Sequence, residues 1–458
     1  MNALILSTVS GVIMMFSSFL LKNKASVRTL AHVLLLAVIV VNFLELKNVS
    51  LFHIDTKDML VFDRFALLFS LIANVSTLAF FLLSSTDMER VGVNYSDYFA
   101  LIFFVLSGVI IAVSFKSLLM LFLGIEILSI PLYILTGSDK RNLKSNEASL
   151  KYFLMGSFST GLMLMGIALV YGATGTFQTG VPHLFAAGKV PVLMIAGMML
   201  LLFAISFKVS AAPFHFWTPD VYDGAPTVFT SFMATVVKAA GFIAFMRLFN
   251  DAFGDIQPQW KLLVGIIAAV TLFIGNLTAV FQQSVKRMLA YSSISQAGFM
   301  MLAIYSLNSD AREGLILYGA AYCIATIGIF GMLAKMNDYT FEGFNGFAKQ
   351  QPVIAATMVV FLLSLAGIPL TAGFLSKFYM LRATINAGNL WLALFAVLMA
   401  AVSVYYYFRL IQAMYFKDGN AGVVVTLTPG FKYTMIALAA ITVILGIFPN
   451  LLISWLYF

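Results

Sequence analysis

Leu200-Leu201-Leu202-Phe203-Ala204-Ile205-Ser206-Phe207-Lys208-Val209-Ser210-Ala211-Ala212-Pro213-Phe214-His215 puts a lysine inside an apolar run and then breaks the run with a proline. The run opens near residue 190 and reaches about 212, long enough for a helix to cross the hydrocarbon core of a bilayer. A lysine inside such a span is costly, and that cost makes it a candidate for function.

The same reading carries outward along the chain. Apolar runs of spanning length fall at 3–21, 29–46, 60–84, 97–114, 116–137, 148–172, 190–212, 226–249, 261–283, 286–307, 312–335, 352–386, 390–416 and 432–456. The segment 352–386 is too long for one straight span and contains Gly367, Pro369 and Gly373. Glycine and proline break helices there through backbone entropy and a missing hydrogen bond, so it reads as one span broken near its middle. The fold class is therefore all-α, a polytopic membrane protein of about 14 transmembrane helices.

Composition agrees. Apolar residues make up 61% of the 458 and charged residues 10%, where a soluble domain carries roughly 25% charge. The one cysteine, Cys323, lies in an apolar run, so no internal disulfide forms. A net charge of +8 suggests anionic partners such as nucleic acid, but its placement points elsewhere. Residues Ala3 to Leu21 lack a positive n-region, and Lys22, Lys24 and Arg28 follow them. The first helix is thus expected to be retained, with the N-terminus outside.

Loops assigned to the inner side carry Lys22, Lys24, Arg28, Arg90, Lys140, Arg141, Lys144, Lys286, Arg287, Lys335, Lys349, Lys417 and Lys432. The outer side carries Lys47, Lys57, Lys116, Lys189, Lys261 and Arg312, diluted by Asp55, Asp58, Asp251 and Asp255. This asymmetry follows the positive-inside rule with both termini outside. The basic charge reports topology, and no nucleic-acid partner is expected. No linker divides the chain, so 1–458 reads as one integral domain.

Lys151, Lys208, Lys238 and Lys377 sit within expected spans, and Glu126 lies mid-span. Each charge at a helix centre costs about 2.5–3.5 kcal/mol, so the set costs on the order of 10 kcal/mol. Stability does not account for that expense. Lys151, a few residues into its span, has the alternative of snorkelling to the interface. A desolvated lysine gives up its proton more easily and a neighbouring carboxylate restores it, which suits a proton relay. His215 follows Lys208 by seven residues, with Pro213 between; it reads as a proton carrier or as a packed histidine bonded to a freed carbonyl. His32, His53 and His183 lie at loops or span ends. No phosphate loop, GxGxxG, CxxC or haem-attachment motif occurs, and no His, Cys or carboxylate cluster has metal-ligand spacing. No cofactor and no metal is expected on this chain.

Ala211-Ala212-Pro213-Phe214 and Thr371-Ala372-Gly373-Phe374 echo each other five spans apart. Inverted repeats in transporters place helix interruptions at matching positions.

The ions lie in longer motifs. Gly124-Ile-Glu126-Ile-Leu-Ser-Ile-Pro131-Leu-Tyr133 precedes Ser145-Asn-Glu147-Ala-Ser-Leu-Lys151-Tyr152-Phe-Leu-Met-Gly156. Phe207-Lys208-Val-Ser-Ala-Ala-Pro213-Phe-His215-Phe-Trp217-Thr-Pro219-Asp220-Val-Tyr222-Asp-Gly224-Ala-Pro226 and Lys238-Ala-Ala-Gly241 follow. Lys286-Arg287-Met-Leu-Ala290-Tyr291-Ser292-Ser293-Ile and Gly373-Phe-Leu-Ser-Lys377-Phe complete the set. In this order they resemble the antiporter-like subunits of the proton-pumping NADH:quinone oxidoreductase, respiratory complex I, over roughly residues 60–415. The Glu147–Gly156 run is most similar to the subunit N family, and Lys377 stands where subunit M usually has Glu. No counterpart of the long C-terminal amphipathic helix of subunit L is present. Asp223 departs from many relatives in the residue before Gly-Ala-Pro.

The resemblance implies a fourteen-helix fold with two inverted five-helix repeats and broken helices carrying Lys208 and Lys377. The parts would be N-terminal helices to about 96, repeats at about 97–250 and 260–416, and a last helix at 432–456. It implies Glu126 and Lys208 as a coupled pair, Lys238 as central relay and Lys377 nearest the outer exit, with Lys151 as an additional lysine. The expected partners are other membrane-arm subunits, protons, buried water and the lipid bilayer, in a bacterial inner membrane. A subunit of a multisubunit cation/proton antiporter shares the lysine layout and is the alternative.

Overall fold

Polar residues that interrupt the apolar runs also start the helices. In the computed structural model, which describes residues 1–52, 54–92, 95–180, 190–419, 421–422 and 427–457, eight long helices open on a side-chain cap. Asn23, Asp63, Ser117, Asn142, Ser284, Asn308, Asn389 and Thr428 each accept a hydrogen bond from a backbone N–H of the following turn, satisfying a donor that the helix leaves free. His53, His183 and Lys189 lie outside the described residues.

The chain opens with α1 (Asn2–Leu20), α2 (Lys24–Leu46), α3 (Arg64–Ser84), the single turn α4 (Met88–Val91) and α5 (Tyr95–Ser114). There follow α6 (Leu118–Thr136), α7 (Leu143–Thr174), α8 (Val192–Lys208) and α9 (Trp217–Gly224). Next, α10 (Thr227–Phe232) and α11 (Lys238–Asp251) join through a π-helical turn at Met233–Val237 into one span, Thr227–Asp251. The second half comprises α12 (Gln257–Val280), α13 (Val285–Ser306), α14 (Ser309–Leu333) and the short α15 (Phe347–Gln350). It ends with α16 (Pro352–Ala366), α17 (Ala372–Asn386), α18 (Leu390–Phe416), α19 (Pro429–Ile447) and the short α20 (Asn450–Ile453).

Twelve spans among the described residues are long and apolar enough to cross a membrane, and α8 and α16 are the two shorter apolar helices. Each shorter helix continues past a break, into α9 and α17 respectively, which gives fourteen crossings. An even number returns the chain to its starting side. Accordingly, Phe43 and Lys47 at the end of α2 pack on Trp455 near the C-terminus. The protein is a multi-pass membrane protein with both termini at one end of the bundle.

The halves repeat one pattern. In the first, α5 packs on α6 and α7 on α8; in the second, α12 packs on α13 and α14 on α16 and α17. Corresponding helices are five crossings apart, and an odd offset reverses their direction, so the repeats are inverted. The spans of α10–α11, α13 and α14 are buried along nearly their whole length, whereas α1, α2, α18 and α19 bury about a third. The outer helices show Phe19, Leu20, Val33, Leu398 and Tyr433 on their exposed faces, as lipid-facing helices do.

Several boundaries differ from those expected: α2 starts at Lys24, not near 29, and α19 ends at Ile447, not near 456. Helix α7 starts at Leu143, not near 148, because Asn142 supplies a cap and polar residues tolerate the extra turn outside the apolar layer. The run 190–212 is helical only to Lys208, because the break lies there rather than after the apolar residues end.

Candidate functional site

Lys208 is the last residue of α8, so its side chain leaves the helix where the backbone turns away. Its Nζ donates to Ser129 Oγ at 3.0 Å and Tyr133 Oη at 3.4 Å, both on α6, and lies 3.7 Å from Glu126 Oε1. The same Glu126 oxygen accepts from Thr160 Oγ1 on α7 at 2.6 Å. The expected pair is therefore adjacent, with hydroxyls holding each partner. Tyr133 sets its ring edge-on to Tyr152, and Tyr152 stacks on Trp217.

The break exposes backbone groups that would be costly unpaired in a membrane. Trp217 Nε1 donates to the Phe207 carbonyl at 3.0 Å, and the Ala212 N–H donates to Thr271 Oγ1 at 2.9 Å. His215 is buried, 4% exposed, beside Phe216, and its Nδ1 has no hydrogen-bond partner in the chain. No hydrogen bond joins it to Lys208 among the described residues.

Lys238 begins α11 directly after the π-helical turn, a local distortion often found at functional positions. Its Nζ donates to the carbonyl and Oγ of Ser293 at 3.2 and 2.9 Å and sits 5.5 Å from the Tyr222 ring centre. It is 2% exposed, and among the described residues no carboxylate pairs with it. Lys377 is held similarly: Nζ donates to the Leu365 and Ala366 carbonyls at 2.8 and 2.9 Å and lies 4.6 Å from the Phe299 ring centre. Those carbonyls end α16, where the helix dipole is negative, so Lys377 caps the broken half.

Glycine makes the second break possible. Gly367 caps α16 with φ +86, a conformation that carries little cost only for glycine, and a Cβ there would lie 2.8 Å from Lys377 Cδ. Gly373 fits against the Ser364 carbonyl with no room for a side chain.

A polar stripe on α13 lies between Lys238, bonded to Ser293, and Lys377. Ser292 bonds the Tyr407 hydroxyl, Gln296 Nε2 donates to that hydroxyl and to the Leu365 carbonyl, each at 3.0 Å, and Tyr318 donates to Gln296 Oε1. Lys377 shares the Leu365 carbonyl, and a small cavity lies between Gln296, Tyr318 and Lys377. Gln296, Tyr318 and Tyr407 escaped the sequence reading. The available signal was the run Ser292-Ser293-Ile294-Ser295-Gln296 inside an apolar span. No hydrogen bond joins Lys208 to Lys238 among the described residues; there, Val209 packs against Gly241.

Lys151 stands apart from these groups. Its side chain is 42% exposed and pairs with Glu147 at 2.8 Å and Asp220 at 3.0 Å, and Asp220 also meets Arg287 at 3.3 Å. Conversely, two lysines read as loop charges are buried. Lys286 donates to the Asp223 and Ala225 carbonyls at 2.9 and 2.7 Å, because Ser284 starts α13 early enough to turn it inward. Lys335, at the end of α14, pairs with Asp87 beneath the Phe431 ring. Among the described residues no group of three or more His, Cys, Asp or Glu could hold a metal.

Fourteen crossings, two broken helices and a lysine at each break define an antiporter-like membrane subunit, and residues 115–403 match the family model described as NADH:quinone oxidoreductase/Mrp antiporter, TM. NADH-quinone oxidoreductase subunit N of Cytophaga hutchinsonii is 42% identical over 99% of both chains. That of Trichlorobacter lovleyi is 39% identical over 87% of this chain and 84% of its own. The chain belongs to the NADH-quinone oxidoreductase subunit N family. A chain of respiratory complex I from Thermus thermophilus with bound aureothin superposes with a TM-score of 0.86 at 31% identity, covering 99% of this chain and 98% of that one. A chain of the Mrp complex from Dietzia sp. DQ12-45-1b shares the fold, with a TM-score of 0.85 at 19% identity over 99% of this chain and 94% of that one.

Proposed function

We propose that this chain is a proton-translocating membrane-arm subunit of NADH:quinone oxidoreductase, without redox chemistry of its own. The observation that carries the reading is the buried lysine series. Lys238 and Lys377 sit 2% and 4% exposed among neutral oxygen acceptors and aromatic rings, while Lys208 faces Glu126. Such groups are costly inside a membrane and serve proton movement better than stability.

Glu126 and Lys208 act as the coupling pair. Moving a carboxylate toward or away from an ammonium changes how firmly the ammonium holds its proton, and Ser129, Tyr133 and Thr160 supply alternative partners as the pair opens. Lys238 is the central relay, and the Ser292–Tyr407–Gln296 stripe leads from it toward Lys377, the residue nearest the outer exit. His215, in the first break with Nδ1 unpaired, carries protons near Lys208. Lys151, with Glu147 and Asp220, is an additional group at the inner end of α7. The repeats extend over about 97–250 and 260–416.

The chain binds no redox cofactor or metal, and electron transfer elsewhere in the complex drives it. Its partners are the other membrane-arm subunits, protons, buried water and lipid. It sits in the energy-coupling inner membrane, the bacterial plasma membrane, with both termini outside, a placement the loop charges support. The test is Lys238→Met in the complete complex, reconstituted in proteoliposomes. Proton uptake and coupled quinone reduction should fall severely at normal assembly; wild-type proton uptake per electron would overturn the reading.

A further inference from the structure

At the end of the bundle that carries both termini, the starts of α3 and α14, the end of α11 and the C-terminal residues surround a hollow of about 530 Å³. Arg64, Arg312, Asp63, Asn250 and Asn308 are among the polar groups that line it, with Phe65, Leu307 and Leu456 as its apolar wall. A smaller adjoining hollow reaches Arg247.

The charges around this hollow do not balance. Arg247 is neutralised: its Nη2 donates to both oxygens of Asp63, at 2.7 and 2.8 Å, and Asp251 lies 3.9 Å away. Asp310 is held by Arg382 and Asn386, and Glu313 accepts from Tyr457. The nearby acids are thus engaged. Among the described residues Arg64 and Arg312 have no carboxylate partner; Arg64 Nη1 is shielded from solvent without an acceptor, and Arg312 lies 5.2 Å from the Phe65 ring centre. A shielded guanidinium donor without an acceptor is a destabilising arrangement, and a ligand bearing several anionic oxygens relieves it.

We infer that this hollow binds a phosphate group through Arg64 and Arg312. The guanidinium fork matches phosphate oxygens in pairs, and the side-chain amides of Asn250 and Asn308 border the same hollow. The hollow lies where helices leave the apolar layer, and Phe65, Leu307 and Leu456 border it. A phospholipid headgroup and free phosphate share the recognised chemistry. The site is independent of the proton route, so its failure leaves the proposed function standing.

The test uses the complete detergent-purified complex carrying wild-type residues, Arg312→Gln, or Arg64→Gln with Arg312→Gln. Native mass spectrometry counts retained phospholipid, and equilibrium dialysis with radiolabelled inorganic phosphate measures the free anion. Binding should weaken about tenfold or more in the double variant, the loss expected for charge-assisted hydrogen bonds. One fewer phospholipid in the variant, with no phosphate binding in either form, assigns the site to a headgroup. Variant-sensitive phosphate binding with an unchanged lipid count assigns it to the free anion. Equal lipid counts and equal phosphate binding across all forms overturn the site. Arg312 is exposed, so Arg312→Gln alone carries the comparison if the double variant does not assemble.

Discussion

Lys377 Nζ and the Leu365 carbonyl oxygen stand 2.8 Å apart across the break between α16 and α17. The interruption that leaves the Leu365 carbonyl without an intrahelical donor also supplies the acceptor that holds the lysine. Lys208 stands at the corresponding break but meets a carboxylate, Glu126, at 3.7 Å. Each half places a lysine beside its break, Lys208 before it and Lys377 after it, and holds one against a carboxylate and the other against neutral carbonyls.

That contrast makes Glu126 the point where charge can be removed with little change of shape. Glu126→Gln keeps the hydrogen bond from Thr160 and the packing but removes the negative charge beside Lys208. Pumping and coupled quinone reduction should fall in reconstituted complex at normal abundance. Wild-type rates would reduce Glu126 to a packing residue.

Lys208→Ala should impair coupled quinone reduction more than Lys151→Ala. The first removes a side chain with 8% exposure at a helix break; the second removes one with 42% exposure from a surface carboxylate cluster. Exposed ion pairs of this kind add little to stability. Equal residual activities in membranes with matched complex content would contradict this ranking.

Gln296→Leu should slow proton transfer without removing a charge. The variant deprives Tyr318 of its acceptor and Tyr407 and the Leu365 carbonyl of a donor. Coupled activity should drop severalfold, and stability by about 1–3 kcal/mol for the unsatisfied groups. Proton uptake and thermal denaturation of the purified complex separate these effects.

Gly367→Ala should lower complex stability by about 1 kcal/mol or more from backbone conformation alone. The new methyl also presses on Lys377, so activity per assembled complex should fall with it. Unchanged melting and activity would show that the break tolerates a side chain.

Asp87 lies outside the spans, and burial pushes its carboxyl above the usual value while Lys335 pulls it down. Asp87→Asn leaves the Lys335 charge buried and should cost about 3–5 kcal/mol. Combining it with Lys335→Met should recover most of that loss. Thermal unfolding of the four forms of the complex measures the coupling directly.

Fourteen crossings, the broken segment at 352–386 and the loop-charge asymmetry were legible in the sequence. So were the motifs carrying Glu126, Lys208, Lys238 and Lys377. Each depends on a local property: a membrane helix satisfies its own backbone and is recognised by its own hydropathy. Which charges lie inside was decided by tertiary structure. Lys286 and Lys335, read as loop charges, are buried, and Lys151, read within a span, is half exposed. Sequence position gives a residue's depth but not the neighbours its side chain meets. Asp87 and Lys335 are 248 residues apart, and Gln296 reaches the Leu365 carbonyl from 69 residues away. Such partners come together only when helices distant in sequence pack, because the contacts that hold a buried charge belong to the assembled bundle and to no single segment.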